Sequence, residues 1–275
     1  AVPNFWKCRA NIGVDMGRVA GKSIIVTGAG SGIGEGFARI FGTEGAKVGV
    51  CDLNTEAAER VAKAINDNGG QALAFTADVS KRDQVKTGFK NFVDWAGSLD
   101  VIFNNAGFNK PMHLMEVTEE NWHAIMNVNG LGVLICTQEA GRYMIAQKNG
   151  KIINTASIAG RQGYPAFAPY CASKFAVNAL TQATARGLAE HNITCNSFAP
   201  GVVDTPLWID LDRDLMEMGI SERPGQATEE FSAGILRGRA ATPADLEGMA
   251  LFLASSDSDY MTGQTIMIDG GMVLV

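Results

Sequence analysis

The chain has 275 residues, of which 46% are hydrophobic and 19% charged, so it can bury one sizeable core and is not intrinsically disordered. A net charge of −6 without a block of basic residues argues against nucleic acid or a membrane as partner and leaves a small molecule as the expected one. The five cysteines are scattered and the three histidines form no ligand motif, which favours a reducing, cytoplasmic location and predicts neither disulfides nor a metal site.

Short apolar runs alternate with longer stretches of helical periodicity from Ser23 onwards, a pattern typical of βα units that feed a parallel sheet. The apolar spacing also predicts two long helices, at 118–147 and 170–190. Right-handed crossovers would place helices on both faces of the sheet, giving a Rossmann-like, doubly wound α/β sandwich with a seven-stranded parallel sheet. The predicted strands are 23–27, 47–51, 71–75, 101–104, 151–155, 194–198 and 264–268.

Residues 18–275 are expected to form a single domain, and the preceding residues, 1–17, lack clear periodicity and are expected to be a flexible extension. A segment of mixed charge with Met, Gly and Pro, about 204–239, interrupts the alternation of strands and helices. An insertion of this length between two strands is more often a functional lid than an idle loop. We therefore expect this segment to cover a substrate site.

The first strand leads directly into T-G-A-G-S-G-I-G, residues 27–34, which opens a helix. Glycines there allow a tight turn and a close approach to a pyrophosphate, whose charge meets amide N–H groups and the positive end of the helix. A plain strand-to-helix turn is the alternative. Asp52 favours the cofactor site, since a carboxylate ending the second strand can bind an adenosine ribose and repels a 2′-phosphate, so NAD is preferred to NADP. Asp52 could instead cap the next helix, and Asp78 and Val79, after the third strand, could flank the adenine or cap the turn before Lys81.

Tyr170 and Lys174 are four residues apart, which on a helix places the phenol and the ammonium on one face. The cation would lower the pKa of Tyr170 to roughly 7–9, making it a usable acid and base. Ser157 closes the fifth strand, at the sheet edge where open α/β folds bind ligands, and would hydrogen-bond to a reacting oxygen. A capped helix start, a solvated lysine and a strand-end serine are the alternatives, each plausible singly.

These motifs resemble those of the short-chain dehydrogenase/reductase family over nearly all of 18–275. The family's T-G-x-x-x-G-x-G is present at 27–34 and its N-N-A-G at 104–107. The resemblance implies a catalytic tetrad of Asn129, Ser157, Tyr170 and Lys174, in which Asn129 holds a proton-relay water through a kinked helix and Lys174 also binds the nicotinamide ribose. Together with the glycine loop and Asp52, it gives these candidate cofactor residues: Gly28, Ser31, Gly32, Ile33, Gly34, Asp52, Leu53, Asp78, Val79, Asn105, Ala106, Gly107, Tyr170, Lys174, Pro200, Gly201, Val203 and Thr205.

The C-terminal segment, 258–273, is similar to that of meso-2,3-butanediol dehydrogenases, also called acetoin reductases, and close to that of bacterial sorbitol and other polyol dehydrogenases. The resemblance also implies a homotetramer built from the two long helices and the C-terminal segment. Candidate substrate residues follow the fifth strand or lie in the insertion, where Gln162 could bind a second hydroxyl and Trp208 could form an apolar wall or simply pack the lid. They are Ser157, Ile158, Gln162, Tyr164, Trp208 and Met216.

The sequence thus predicts NAD-dependent, reversible oxidation of a secondary alcohol, a vicinal diol or polyol, to a ketone. One alternative is an NAD(H)-binding sensor or scaffold of the same fold with little turnover, against which the complete tetrad argues. Another is a sugar epimerase or dehydratase. Such proteins carry T-G-x-x-G-x-x-G, where this chain has Ser31 in place of a glycine, and they usually have an added C-terminal substrate domain.

Overall fold

The computed structural model describes residues 17–274, with a seven-stranded parallel sheet at its centre. The strand order is β3-β2-β1-β4-β5-β6-β7, which confirms the predicted doubly wound sheet. Every predicted strand is present, with ends within two residues of those expected. The strands are β1 (Ser23–Thr27), β2 (Lys47–Asp52), β3 (Gln71–Thr76), β4 (Val101–Asn104), β5 (Gly150–Thr155), β6 (Ile193–Pro200) and β7 (Thr265–Ile268).

Helices cover both faces of the sheet. One layer contains α1, α2 and α9, and the opposite layer contains α3, α5 and α6. The helices are α1 (Gly32–Thr43), α2 (Thr55–Asp67), α3 (Arg82–Ala96), α4 (Glu119–Met126), α5 (Val133–Gln147), α6 (Ala168–Leu188), α7 (Pro206–Glu217), α8 (Gln226–Ser232) and α9 (Ala244–Ala254).

The single helix predicted for 118–147 is wrong in one respect, because a π-helical segment, Asn127–Gly132, separates α4 from α5. Two glycines and two asparagines in this segment are weak helix formers, which allows the wider turn. The other long helix, predicted for 170–190, is α6.

Alternate side chains of the central strand enter opposite cores. Ile24 and Val26 of β1 face the α1 layer, whereas Ile25 faces the α3 layer, and all three are fully buried. In the first core, the ring of Phe37 lies 5.3 Å from that of Phe103, centre to centre. A strand buried on both faces needs a continuous run of apolar residues rather than alternating apolar and polar ones. Such runs could therefore be recognised as strands in the sequence.

The insertion at about 204–239 is largely helical and contains α7 and α8. The buried carboxylate of Asp212 accepts hydrogen bonds from the backbone N–H groups of Gly225 (2.5 Å) and Ala227 (3.1 Å), and so attaches the start of α8 to α7. Of the predicted N-terminal extension, 1–17, only Gly17 lies within the described residues. Between residues 17 and 274, the structure holds no helix with the length and apolar character needed to cross a membrane.

Candidate active site

The carboxyl ends of the strands border a cleft of about 520 Å³, beside the point between β1 and β4 where the strand order reverses. Open α/β sheets bind ligands at this position. The cleft brings together all the predicted cofactor residues except Gly34. Those lining it are Gly28, Ser31, Gly32, Ile33, Asp52, Leu53, Asp78, Val79, Asn105, Ala106, Gly107, Tyr170, Lys174, Pro200, Gly201, Val203 and Thr205.

The glycine loop packs too closely for larger residues. Gly28 has a φ of +63°, and a Cβ there would lie 2.8 Å from the Cα of Ala106. A Cβ on Gly34 would lie 2.1 Å from the carbonyl oxygen of Gly28 and 2.7 Å from Nδ2 of Asn105. Gly34 therefore supports the loop from behind and does not face the cleft, which explains its absence from the lining.

The segment after β4 fixes this loop from the other side. The side-chain amide of Asn105 donates to the carbonyl oxygens of Thr27 (3.1 Å) and Gly28 (3.2 Å). The backbone N–H groups of Asn105 and Ala106 donate to Oγ1 of Thr27, at 3.0 and 3.1 Å. The asparagine motif after β4 thus holds the start of the glycine loop and forms one wall of the cleft.

The Asp52 carboxylate accepts hydrogen bonds from the backbone N–H groups of Gly30 (2.8 Å) and Asn54 (2.9 Å). The cap of α2 is Asn54, whose Oδ1 accepts from the N–H of Ala57 at 3.0 Å, so Asp52 is not the helix cap. A carboxylate fixed at the end of β2 beside a glycine loop fits the adenosine ribose of a dinucleotide.

A cation beside the loop was not anticipated. Arg60 donates to the carbonyl oxygen of Gly30 (2.7 Å) and pairs with Glu35 (2.6 Å). The hydrogen bond from Arg60 lowers the pKa of Glu35, so the two charges neutralise each other beside the loop.

At the next strand end, Asp78 Oδ1 accepts from the backbone N–H (2.9 Å) and hydroxyl (2.7 Å) of Ser80, so its side chain has the capping role that the sequence left open.

The three residues for which the sequence predicts proton transfer, Ser157, Tyr170 and Lys174, lie together in the cleft. Lys174 is 4% exposed, its Nζ donates to the carbonyl oxygen of Thr155 at 2.8 Å, and it lies 5.4 Å from the centre of the Tyr170 ring. The Ser157 hydroxyl lies near enough to Tyr170 to lower the pKa of its phenol, and it accepts from the N–H of Ala159 at 3.1 Å. A phenol, a hydroxyl and an ammonium therefore meet in one cleft.

Asn129 is fully buried behind the cleft, in the π-helical segment. Its amide donates to the carbonyl oxygen of Phe108 (2.9 Å) and to Oγ of Ser173 (3.1 Å), and its Oδ1 accepts from the N–H of Phe108 (3.0 Å). The side chain thus connects the segment after β4 to α6, one turn from Tyr170.

The predicted effect of Lys174 on Tyr170 is wrong for this structure. Burial raises the pKa of Tyr170 to about 12, and the hydrogen bond with Ser157 lowers it by less. Burial also lowers the pKa of Lys174 to about 8. The cost of removing each charge from water outweighs their mutual attraction, because the ammonium faces the Thr155 carbonyl rather than the phenol oxygen.

The other end of the cleft is apolar and includes part of the insertion. Phe231 of α8 lies 5.4 Å from Trp208 of α7 and 5.8 Å from both Tyr164 and Phe167, measured between ring centres. Of the predicted substrate residues, Ser157, Ile158, Tyr164 and Trp208 line the cleft.

Two predicted substrate residues do not reach it. Gln162 is exposed and its amide donates to the hydroxyl of Tyr164 (2.5 Å), and Met216 lies on a part of α7 outside the lining. The prediction missed Asn109, Leu211 and Phe231. Leu211 is three residues after Trp208 on the same helix face, a signal that the sequence did contain.

Within residues 17–274, no group of three or more His, Cys, Asp or Glu side chains is placed to hold a metal ion. A doubly wound parallel sheet, with a glycine loop and a Ser-Tyr-Lys group at its carboxyl edge, defines an oxidoreductase of the nicotinamide-nucleotide class. Residues 22–215 match the family model described as short chain dehydrogenase, and the chain belongs to this family. The predicted family and fold are thereby confirmed.

Several characterised proteins are similar to this chain over most of its length. Diacetyl reductase [(S)-acetoin forming] of Staphylococcus epidermidis is 38% identical over 253 residues, which cover 92% of this chain and 98% of the relative. The structure of an NAD+-bound xylitol dehydrogenase superposes with a TM-score of 0.88 at 30% identity, covering 92% of this chain and 100% of that one. A gluconate 5-dehydrogenase from Burkholderia cenocepacia, in complex with NADP and tartrate, has a TM-score of 0.84 at 34% identity, covering 94% and 97%.

Proposed function

We propose that this protein is an NAD-dependent dehydrogenase that reversibly oxidises a secondary alcohol, a vicinal diol or polyol, to a ketone. The observation that carries the proposal is the meeting of Ser157, Tyr170 and Lys174 in the cleft that also contains the glycine loop and Asp52. The similarity to a diacetyl reductase and a xylitol dehydrogenase supports a diol or polyol as the substrate.

NAD supplies the hydride acceptor when it is bound. Tyr170 exchanges a proton with the reacting oxygen, as the base in alcohol oxidation and as the acid in ketone reduction. Ser157, which lines the same cleft beside Tyr170, orients the same oxygen. Lys174 attracts the negative charge that develops on the phenol as the proton moves. Asn129 connects α6 to the segment after β4 and so positions these two parts of the cleft relative to each other.

We infer that NAD is preferred to NADP. Two backbone N–H groups hold the carboxylate of Asp52 at the end of β2, where it would repel a 2′-phosphate. The neighbouring Arg60 is engaged by Glu35 and by the Gly30 carbonyl, which reduces its capacity to attract a phosphate. The gluconate 5-dehydrogenase of similar fold was solved with NADP, so the fold alone does not decide between NAD and NADP. Substitution of Asp52 tests whether this residue does.

We further propose a cytoplasmic homotetramer in which 18–275 is one domain and 204–239 forms the substrate lid. A groove between α5 and α6, lined by Leu134, Ile145, Leu180 and Leu188, offers an apolar surface to a second copy. Molar mass from light scattering tests the assembly, because a monomeric mass at micromolar concentration would contradict it. Cell fractionation tests the location.

A panel of alcohols tests the proposed reaction. Initial rates of NAD reduction are measured with butanediols, sorbitol, galactitol and secondary mono-alcohols. Saturable turnover with at least one diol or polyol is expected. Binding of NADH without turnover of any alcohol or ketone would instead favour the sensor or scaffold alternative.

A further inference from the structure

One polar group in the substrate end of the cleft has no partner. Asn109 lines the cleft and is 8% exposed, yet its Oδ1 accepts no hydrogen bond from any residue in 17–274. A buried acceptor without a partner is costly, and its presence in a ligand cleft suggests that a ligand donor satisfies it.

Asn109 is held firmly between the catalytic residues and the insertion. The backbone N–H of the preceding residue, Phe108, donates to the side-chain Oδ1 of Asn129, and its carbonyl oxygen accepts from Nδ2 of the same amide. The following residue, Lys110, forms an ion pair with the buried Asp214 of α7, at 2.8 Å. These contacts restrain the backbone on either side of Asn109, which keeps the residue at the wall of the cleft.

The end of the cleft formed by the insertion is apolar. The cleft wall includes Phe167, Leu211 and Phe231, and the hydroxyl of Tyr164 already accepts from Gln162. A ligand with many hydroxyl groups would lose its hydration here without enough replacement hydrogen bonds. A ligand with an apolar body and one extra hydroxyl would pack against the apolar wall and donate its hydrogen bond to Asn109.

We propose that Asn109 is a specificity-determining residue whose Oδ1 accepts a hydrogen bond from a second hydroxyl of the substrate. The preferred substrate class is then a vicinal diol or α-hydroxy ketone with apolar substituents, rather than an open-chain polyol. This inference rests on the proposed function, since it concerns the substrate of the same reaction.

The test compares 2,3-butanediol with 2-butanol, which differ only in the second hydroxyl. Wild-type kcat/KM is expected to favour the diol by at least about tenfold, because a site built to bind a hydroxyl is left unpaired by the analogue that lacks it. Sorbitol should be a poorer substrate than the diol. Asn109→Ala and Asn109→Leu should each reduce the ratio of diol to mono-alcohol at least about fivefold.

Asn68→Ala is the control, because Asn68 is an exposed asparagine at the end of α2 that does not line the cleft, and it should keep the wild-type ratio. In the free protein, Asn109→Leu should raise the unfolding temperature, since it removes an acceptor that has no partner. An unchanged ratio in both Asn109 variants, an equal loss in Asn68→Ala, or a wild type that prefers sorbitol would overturn the inference. Failure to oxidise any secondary alcohol would overturn the proposed function itself.

Discussion

Lys174 is expected to lower the stability of the free protein, although the proposed reaction uses it. Burial lowers its pKa from the ordinary 10.5 to about 8, which means that folding disfavours the charged ammonium. Below about pH 8 the lysine is charged in both the folded and the unfolded chain, and the full cost of burying the charge is present. The cost decreases as the pH rises from about 8 to 10.5, and it disappears where the amine is neutral in both states.

The size of this effect follows from the two pKa values. Their separation corresponds to about 3 kcal/mol of unfolding free energy at neutral pH. Lys174→Met removes the charge but also the hydrogen bond to the Thr155 carbonyl, which is worth about 1.5–3 kcal/mol when the donor is charged. We therefore expect Lys174→Met to stabilise the free protein by up to about 1.5 kcal/mol at pH 7 while abolishing most of the turnover.

Urea unfolding, followed by circular dichroism at several pH values and one protein concentration, measures this difference. The advantage of the variant should be largest below about pH 8 and should vanish or reverse near pH 10.5. Lys86→Met, which replaces an exposed lysine of α3, is the control and should show no such trend. A stability difference between Lys174→Met and wild type that does not change with pH, or a variant much less stable than wild type at pH 7, would refute the reasoning.

Four further outcomes are expected. Tyr170→Phe should lower turnover at least about 100-fold, with NADH binding by fluorescence titration near wild type, since only the proton-transferring hydroxyl is lost; near-normal turnover would remove Tyr170 from the reaction. Because burial raises the pKa of Tyr170 to about 12, ketone reduction, which uses the neutral phenol, should vary little between about pH 6 and 7.5, where Lys174 stays charged, whereas alcohol oxidation should rise, and initial rates in both directions check this. Asp52→Asn should reduce the ratio of kcat/KM for NAD to that for NADP at least about tenfold, whereas Glu56→Gln, which removes one exposed charge nearby, should not; an unchanged ratio in the former assigns the preference elsewhere. Gly34→Ala places a Cβ 2.1 Å from a loop carbonyl and should lower the unfolding free energy by more than about 2 kcal/mol and weaken NADH binding, whereas Gly248→Ala, which meets open space in a helix, should be neutral or stabilising; equal urea midpoints would contradict this.

The sheet and the cofactor end of the cleft were predictable because their signals are local in the sequence. Strands such as β1 are buried on both faces and therefore appear as unbroken apolar runs. The parallel order brings their carboxyl ends to one edge, so Asp52 and Ser157 could be assigned to the same cleft from their positions at strand ends. Tyr170 and Lys174 could be assigned to one helix face in the same way, from their four-residue spacing on the helix that follows β5.

The substrate end was less predictable because its contacts join distant parts of the chain. Phe231 reaches Trp208 and Tyr164 only through the packing of α8 on α7, which depends on the buried carboxylate of Asp212. Gln162 was a reasonable candidate from its chemistry, but it is exposed and bonds to Tyr164. No spacing rule distinguishes an amide that faces a cleft, such as Asn109, from one that faces solvent.

The corrected pKa values change how Lys174 assists Tyr170. In the free protein the ammonium is charged mainly below about pH 8, whereas the phenolate forms only near pH 12, so the two charges seldom coexist. Attraction to Lys174 thus contributes little to the resting site. It acts on the negative charge that develops on the phenol during proton transfer, when both charges are present together in a poorly hydrated cleft. An interaction that is stronger in the transition state than in the resting site accelerates the reaction. A tyrosine that was already ionised in the resting site would not need this assistance.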